Sequence, residues 1–264
     1  MSGFYIGVDG KARKVKGGYI GIDGKARKIK KGYIGVDGVA KLCWTAFDGD
    51  PVFANNSWEK IIEACQTGNV PDTWAVGDQK TMTINGTDYV IDIIGKNHDD
   101  YADGSGKAPL TFQLHDLWKF QMSMHDSKSN SCGWENSYMR TTRLPNIIKT
   151  FPSEIQAAIK EVNKLTSVGG KSSTISTIAD KLFLPSEVEI QGRTVYSYSG
   201  EGTQYEYYKN GGSTKKKLND TATIWFTRSP SNQDTSSFCS VSSSGGISAM
   251  YANDAYYISF AFCF

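Results

Sequence analysis

Apolar and polar positions separate most clearly near the C-terminal end of the chain. From Tyr257 to Phe264 they alternate, with Ile258, Phe260, Phe262 and Phe264 on one side and Ser259, Ala261 and Cys263 on the other. That spacing predicts a strand with an aromatic face set into a core. The block Ile224-Trp225-Phe226-Thr227-Arg228-Ser229-Pro230 predicts a second buried strand. Between the two lies a segment dominated by Ser, Asn, Asp, Gly and Tyr. Held at both ends by buried strands, it is expected to be displayed at the surface. Short hydrogen-bonding groups mixed with phenol rings are the palette of binding loops, although ordinary polar surface loops share that composition.

The other end of the chain is an internal repeat. Tyr5-Ile6-Gly7-Val8-Asp9-Gly10-Lys11-Ala12-Arg13-Lys14-Val15-Lys16 returns from Tyr19 to Lys30, and again, decayed, from Tyr33 to Leu42. Each copy reads strand, Asp-Gly turn, strand, a strong hairpin signal because Gly takes positive φ cheaply. Three copies predict a meander with Tyr and Ile or Val on one face and Lys or Arg on the other. A lone hairpin buries too little surface to be stable. An anchoring role in a larger assembly is therefore weighed against a charged face that protects sheet edges.

The body of the chain alternates between periods. Asn56 or Ser57 caps a predicted helix carrying Trp58, Ile61, Ile62 and Cys65, stopped by Gly68. Thr81–Ile84 and Tyr89–Ile94 flank Asn85-Gly86, predicting a hairpin. Thr111–Leu114 predicts a further strand. One helix follows Gly133–Arg140, and a second starts at Pro152-Ser153 with Ile155, Ile159 and Val162 on one stripe. Asp180–Ile190 reads as a strand ending in a turn, and Lys215-Lys216-Lys217 as a solvated loop. The fold class is α+β, a mixed antiparallel sheet with few helices and long loops. A hairpin module at 1–44 precedes a larger domain at 45–264.

Composition narrows the chemistry. With 29 Lys and Arg against 27 Asp and Glu, the formal charge is +2, which does not suggest nucleic-acid binding. Cys43, Cys65, Cys132, Cys239 and Cys263 are scattered, so reduced and mostly buried thiols are expected rather than disulfides or a zinc site. Met1–Tyr5 shows no apolar signal region and no run is long enough to span a bilayer, so synthesis in a cytoplasm is expected. His98, Asp99, Asp100 and Asp103 form a polar loop whose spacing matches no metal motif. No metal site or cofactor is assigned, a structural calcium in that loop being the one alternative kept. Hydrolase and phosphate-loop motifs are missing, and Cys239 has no His beside it in sequence. Glu135 and Arg140 are expected to form a buried structural pair.

Three segments together carry a resemblance: Gly133–Arg140, Asp180–Glu187, and Trp225–Pro230 followed by the Phe260-Ala261-Phe262-Cys263 ending. The chain resembles an uncharacterised domain family common in prophages and gut phages, itself similar to the C-type-lectin-like variable proteins of diversity-generating retroelements. Members often carry such N-terminal repeats and lie among phage tail genes. Many relatives approach the last strand through Gly-Val-Arg-Pro, where this chain has Tyr257-Ile258-Ser259-Phe260.

The resemblance implies a C-type-lectin-like fold and a virion protein, made in a bacterial cytoplasm, tail-associated and non-enzymatic, that binds a host-surface protein or glycan. It implies a ligand-binding face, open to retroelement diversification, made by Asn232, Asp234, Ser237, Ser240, Ser242, Ser243, Ser244, Ser248, Tyr251, Asn253, Asp254, Tyr256 and Tyr257. The partners it implies are phage particle components, through the hairpins, and further copies in a homo-oligomer. Two other readings stand beside it. One is a structural virion subunit without ligand. The other is a glycan-acting enzyme using Asp234 and Asp254, which requires them side by side in a cleft.

Overall fold

The structure, a computed structural model, describes residues 5–8, 10–14, 18–45 and 47–264. The chain divides into two compact units, residues 1–74 and 75–264. In the first, the repeats form three hairpins: β1 (Tyr5–Val8) with β2 (Lys11–Lys14), β3 (Tyr19–Ile22) with β4 (Lys25–Lys28), and β5 (Lys31–Val36) with β6 (Val39–Thr45). Asp23-Gly24 and Asp37-Gly38 all have positive φ, the backbone that a two-residue turn with right-handed strand twist requires. Met1–Phe4, Asp9, Val15 and Lys16 lie outside the described residues.

The hairpins depart from the expected meander. Each is a two-stranded sheet of its own. Nor do the faces sort into apolar and cationic. Tyr19 and Ile20 are adjacent in a strand and so point to opposite sides. Cross-strand pairing sets Ile20 beside Arg27 and Ile22 beside Lys25.

Helix α1 (Trp58–Thr67) begins at Ser57, whose hydroxyl accepts from Lys60 N, and stops at left-handed Gly68. Trp74, fully buried, meets the ring edges of Phe47 and Phe53 and donates from Nε1 to Asp50 O. These residues group with the first unit, so the compact division falls after Trp74 rather than after residue 44.

The second unit is mixed α+β and contains two principal sheets. The larger has five antiparallel strands in the order β12-β19-β9-β8-β7. Here β7 (Gln79–Ile84) and β8 (Thr87–Lys96) turn at Asn85-Gly86, and β9 (Leu110–Leu114) is buried throughout. After α2 (Leu144–Ile148) and α3 (Ser153–Ala158) comes the hairpin of β10 (Val162–Ser167) and β11 (Ile175–Asp180). Helix α3 ends before Ile159, so Val162 opens a strand instead of extending a helical stripe.

The strand expected over Asp180–Ile190 is only β12 (Leu182–Phe183). The rest forms α4 (Glu187–Gln191), started by a capping box in which Ser186 and Glu189 satisfy each other's backbone N–H, a signal present in the sequence. Helix α5 (Glu206–Lys209) and the short pair β13 (Lys217–Leu218) and β14 (Thr221–Ala222) lead to the second sheet. Its order is β17-β16-β15-β18, built from β15 (Trp225–Pro230), β16 (Ser237–Val241), β17 (Ile247–Tyr251) and β18 (Tyr257–Ile258).

The final block is therefore two strands, not one. β18 pairs in parallel with β15, and β19 (Ala261–Cys263) pairs with β9 and β12 in the other sheet. Ser259 and Phe260 form the crossing, where Ser259 Oγ donates to Leu114 O and Leu114 N to Phe260 O. Alternation misses this break because Ile258–Phe264 is buried on both sides.

The core holds a charged chain as well as apolar side chains. Lys164 Nζ lies 2.6 Å from Asp99 Oδ1, 2.7 Å from Glu189 Oε1 and 2.9 Å from Tyr205 OH. Arg228 donates to both oxygens of Glu189 and to the carbonyls of Leu165, Leu184 and Glu201. Although burial disfavours its charge, Glu189 is held at about 2 by these two cations. Glu201 lies beside them with one oxygen accepting from Ser167 N, and burial pushes it up to about 7.

Lys216 also departs from expectation. It is buried, donates to the carbonyls of Leu114 and His115 at 2.6 and 2.7 Å, and is lowered by burial to about 8. The neighbouring His115 pairs through Nδ1 with buried Asp92 at 2.9 Å, a hydrogen bond that raises its pKa.

Glu201 makes the fold pH-dependent. Its folded pKa lies above its unfolded value, so the stability of its neutral form is present below about pH 4.5 and lost as pH rises through about 7. Thermal unfolding of Glu201→Gln is expected to match the parent near pH 5. Near pH 8 the variant should be more stable by about 1–3 kcal/mol. Equal pH profiles for the two proteins would refute the assignment.

Candidate functional site

The thirteen positions expected to form one face fall into distinct places. Ser237 and Ser240 lie on central strand β16 and are buried, so they cannot meet a ligand directly. Asn232 and Asp234 are half-buried and engaged with the backbone. Asn232 Nδ2 donates to Ser197 O at 2.7 Å, and Asp234 Oδ1 accepts from Ser236 N at 2.6 Å. Burial opposes the Asp234 carboxylate, but hydrogen bonds from Ser236 and Ser237 outweigh it and lower its pKa. Asn232 and Asp234 thus build the loop, and Ser237 and Ser240 belong to the strand that follows it.

Ser242, Ser243 and Ser244 occupy the turn between β16 and β17, with Ser248 just beyond. The turn closes through Ser242 N to Gly246 O and rests on Thr214, whose hydroxyl donates to Gly245 O. Ser237 pairs with Tyr251 at the far end of β16. Four strand rises separate that end from the turn, roughly 14 Å. Tyr257 pairs with Trp225 on the opposite edge strand from β17. The single plate expected from the sequence is thus divided.

What remains together is the loop joining β17 to β18, which carries Tyr251, Asn253, Asp254 and Tyr256. Tyr251 is 45% exposed and Asn253 is exposed, while Asp254 and Tyr256 are half-buried. Residues 121–130 run antiparallel beside this loop. Met122 and Tyr256 exchange backbone hydrogen bonds, and His125 N donates to Ala252 O at 2.9 Å. Tyr256 also sets its ring edge against Phe226, 5.5 Å between centroids.

Asn130 fixes the neighbouring loop. Its Nδ2 lies within hydrogen-bond distance of three carbonyls, Ser231 O at 3.2 Å, Asp234 O at 3.0 Å and Ser237 O at 2.7 Å. Its own N–H donates to Thr235 O, and its Oδ1 accepts from Gly170 N. Gly169 lets these backbones approach, because a Cβ there would lie 2.0 Å from Asn130 O.

Four further residues of this surface were not singled out from sequence: Asp126, Lys128, Tyr138 and Arg143. Lys128 Nζ lies 3.3 Å from the Tyr251 ring centroid, and the Arg143 guanidinium 4.9 Å from that of Tyr138. Arg143 also approaches Asp126 at 3.9 Å and donates to Ser123 Oγ. A π-helical turn at Met139–Arg143, closed by Leu144 N to Met139 O, sets Arg143 over a tyrosine five residues earlier. Such turns recur at functional sites, but their five-residue spacing is not one that a helical pattern search scores. The arrangement offers two phenol rings, each with a cation on its face, and an acid nearby. That combination suits recognition through ring stacking and charge.

Other expectations resolve differently. Arg140 pairs with Asp180 at 2.6 Å and meets Glu135 only through its carbonyl; Asp180 also accepts from Trp134 Nε1. In the polar loop, Asp99 serves the buried chain, Asp100 pairs with Lys107, and Asp103 accepts from Ser105 N. His98 stacks on Tyr205 and is lowered by burial. Among the described residues, no group of three or more His, Cys, Asp or Glu could hold a metal. All five cysteines are free, and Cys65, Cys239 and Cys263 are buried.

Residues 110–264 match the family described as Domain of unknown function (DUF6273), more than half of the chain. The chain belongs to this family. No curated protein and no solved structure matches the chain. The DUF6273 region contains every residue of the loop surface and all three segments that carried the resemblance. Its boundary passes between β8 and β9, which are paired, and leaves Asp99, the partner of Lys164, outside. The folded unit is therefore larger than the family match.

Removing the Asn130 carboxamide should release the loop it clamps. Asn130→Ala is expected to cost about 2–4 kcal/mol, since buried carbonyls lose their donor. Hydrogen exchange should accelerate across residues 231–237 while β9 stays protected. Uniform acceleration through the unit would instead make Asn130 a general core residue.

Proposed function

We propose that the protein is a tail-associated phage receptor-binding protein with a C-type-lectin-like domain. Its binding surface is the β17–β18 loop together with residues 121–138. One observation carries this reading: Tyr251 is held exposed, with Lys128 against its ring, on a loop whose backbone is tied to 122–125 along its length. A binding surface ordered before contact loses little entropy on association. Exposed tyrosine supplies contact area with few rotatable bonds. The ligand is a protein or glycan of the host surface, met through aromatic stacking and both signs of charge. In this reading the hairpins form the attachment end, holding the protein to the particle, where many copies would raise modest single-site affinity.

The lectin-like assignment rests on the resemblance in segments 133–140, 180–187 and 225–230, which meet one another in the fold. Trp134 and Arg140 meet Asp180, Arg228 N donates to Pro185 O, and Glu187 N donates to Ser229 Oγ. A ligand-free structural subunit is the second reading. It is favoured by the number of polar residues, Asn232, Asp234, Ser237 and Ser240, that are consumed within the fold. The enzymatic reading gains no support from Asp234, whose carboxylate is occupied by Ser236.

Labelled full-length protein should adsorb to a subset of a panel of whole bacterial cells. The double variant Tyr251→Ser, Lys128→Ala is expected to lose adsorption at least tenfold with little change in melting temperature, since both side chains lie at the surface. Undiminished adsorption by this variant would favour the structural-subunit reading.

A further inference from the structure

The near-balanced charge of the chain conceals a separation. Ten of its 29 Lys and Arg residues, but three of its 27 Asp and Glu, fall within residues 1–45, a net of +7. The other 219 residues carry −5. The same segment exposes apolar side chains: Tyr19 is 71% exposed, Ile20 51%, Ile22 43% and Ile34 54%. The strand register couples the two features. Ile20 lies opposite Arg27, Ile22 opposite Lys25 and Ile34 opposite Lys41, and directly opposed residues share a face of a hairpin. Each of these aliphatic side chains therefore has an exposed cation beside it.

The occupant of these faces must take both groups. A second copy of the hairpins would bring like charge against like charge. Nucleic acid or an anionic glycan would pair with the cations but leave the isoleucines in water. An anionic bilayer accommodates both. Aliphatic side chains enter the boundary between headgroups and acyl chains, tyrosine favours that interface, and Lys and Arg meet lipid phosphates. No helix among the described residues is long and apolar enough to cross a membrane, so such contact would be peripheral. The geometry points to a membrane-surface module: the hairpins bind anionic lipid bilayers, each repeat weakly and the array through multivalency. This inference replaces the particle-attachment role proposed for the hairpins, whereas the loop surface proposed to bind ligand belongs to the other unit, and its adsorption test stands or fails separately.

Co-sedimentation of the full-length chain with vesicles tests it. Vesicles of phosphatidylcholine with about one-third phosphatidylglycerol should bind the protein at least tenfold better than pure phosphatidylcholine, with binding lost in high salt. Ile20→Ser, Ile22→Ser and Ile34→Ser together should weaken binding severalfold at unchanged charge. Lys25→Gln, Arg27→Gln and Lys41→Gln should abolish lipid selectivity, with the melting temperature of the main domain unchanged in both variants. Equal binding to neutral vesicles, no vesicle binding, or indifference to the isoleucine changes would overturn the proposal. Tighter capture by a DNA oligonucleotide or an anionic polysaccharide than by the vesicles would replace it with a polyanion site. Absence of both would return the hairpins to a particle subunit.

Discussion

Glu189 is shared between two buried cations, and the arrangement of the larger unit follows from that sharing. Lys164 comes from β10, Arg228 from β15, Glu189 from α4, and Asp99 from the loop after β8. Two acids and two bases make the group electrically neutral. Neutrality matters because isolated charges inside a protein are costly, and attraction offsets that cost only where hydrogen bonds satisfy the remaining atoms. Here the guanidinium also reaches three backbone carbonyls. The same constraint explains Glu201. A third carboxylate would leave the group with net negative charge, so burial favours its protonated form.

Charge pairing at the centre is transmitted to the surface through strands. Arg228 fixes β15, β15 pairs with β16, and the loop from Ser231 to Ser237 joins them. Asn130 then fastens that loop from outside the sheet. On the far side of β16, β17 delivers Tyr251, and the following loop is closed by residues 122–125. The surface around Tyr251 is thus positioned by hydrogen bonds that begin at buried ions. A loop built this way differs from a flexible polar excursion of the same composition.

Local signals were legible in the sequence where a residue acts on its own backbone. Gly68 ended a helix whose start was narrowed to Asn56 or Ser57, and Asn85-Gly86 made a turn, because each determines nearby φ and ψ. Residues whose partners come from far along the chain were not legible. Lys216 looked solvated because its stem and charge are matched by carbonyls about a hundred positions away. Ser237 and Ser240 looked displayed because alternation cannot distinguish a polar side chain on an edge strand from one on a central strand. The capping box at Ser186 and Glu189 was visible but lay within a stretch of strand-like apolar spacing. The segments around Trp134 and Asp180 meet through side chains, since Asp180 accepts from both Trp134 Nε1 and Arg140 Nε, a pairing across some forty positions that no local pattern shows.

This division of labour limits which positions of the segment can be substituted without disturbing the fold. Replacing Asn232 removes a donor from the Ser197 carbonyl, and replacing Asp234 frees the N–H of Ser236. Either change disturbs the loop that Asn130 organises. Asn253, exposed beside Tyr251, carries no comparable obligation in its side chain, and neither Ser243 nor Asp126 is buried. Substitutions compatible with the fold are therefore confined to such exposed positions, while the polar residues beneath them hold the backbone. A composition of Ser, Asn, Asp and Tyr consequently reports two opposite roles in one segment. The hydrogen-bond partners, not the residue types, decide which of these side chains are built into the fold and which face outward.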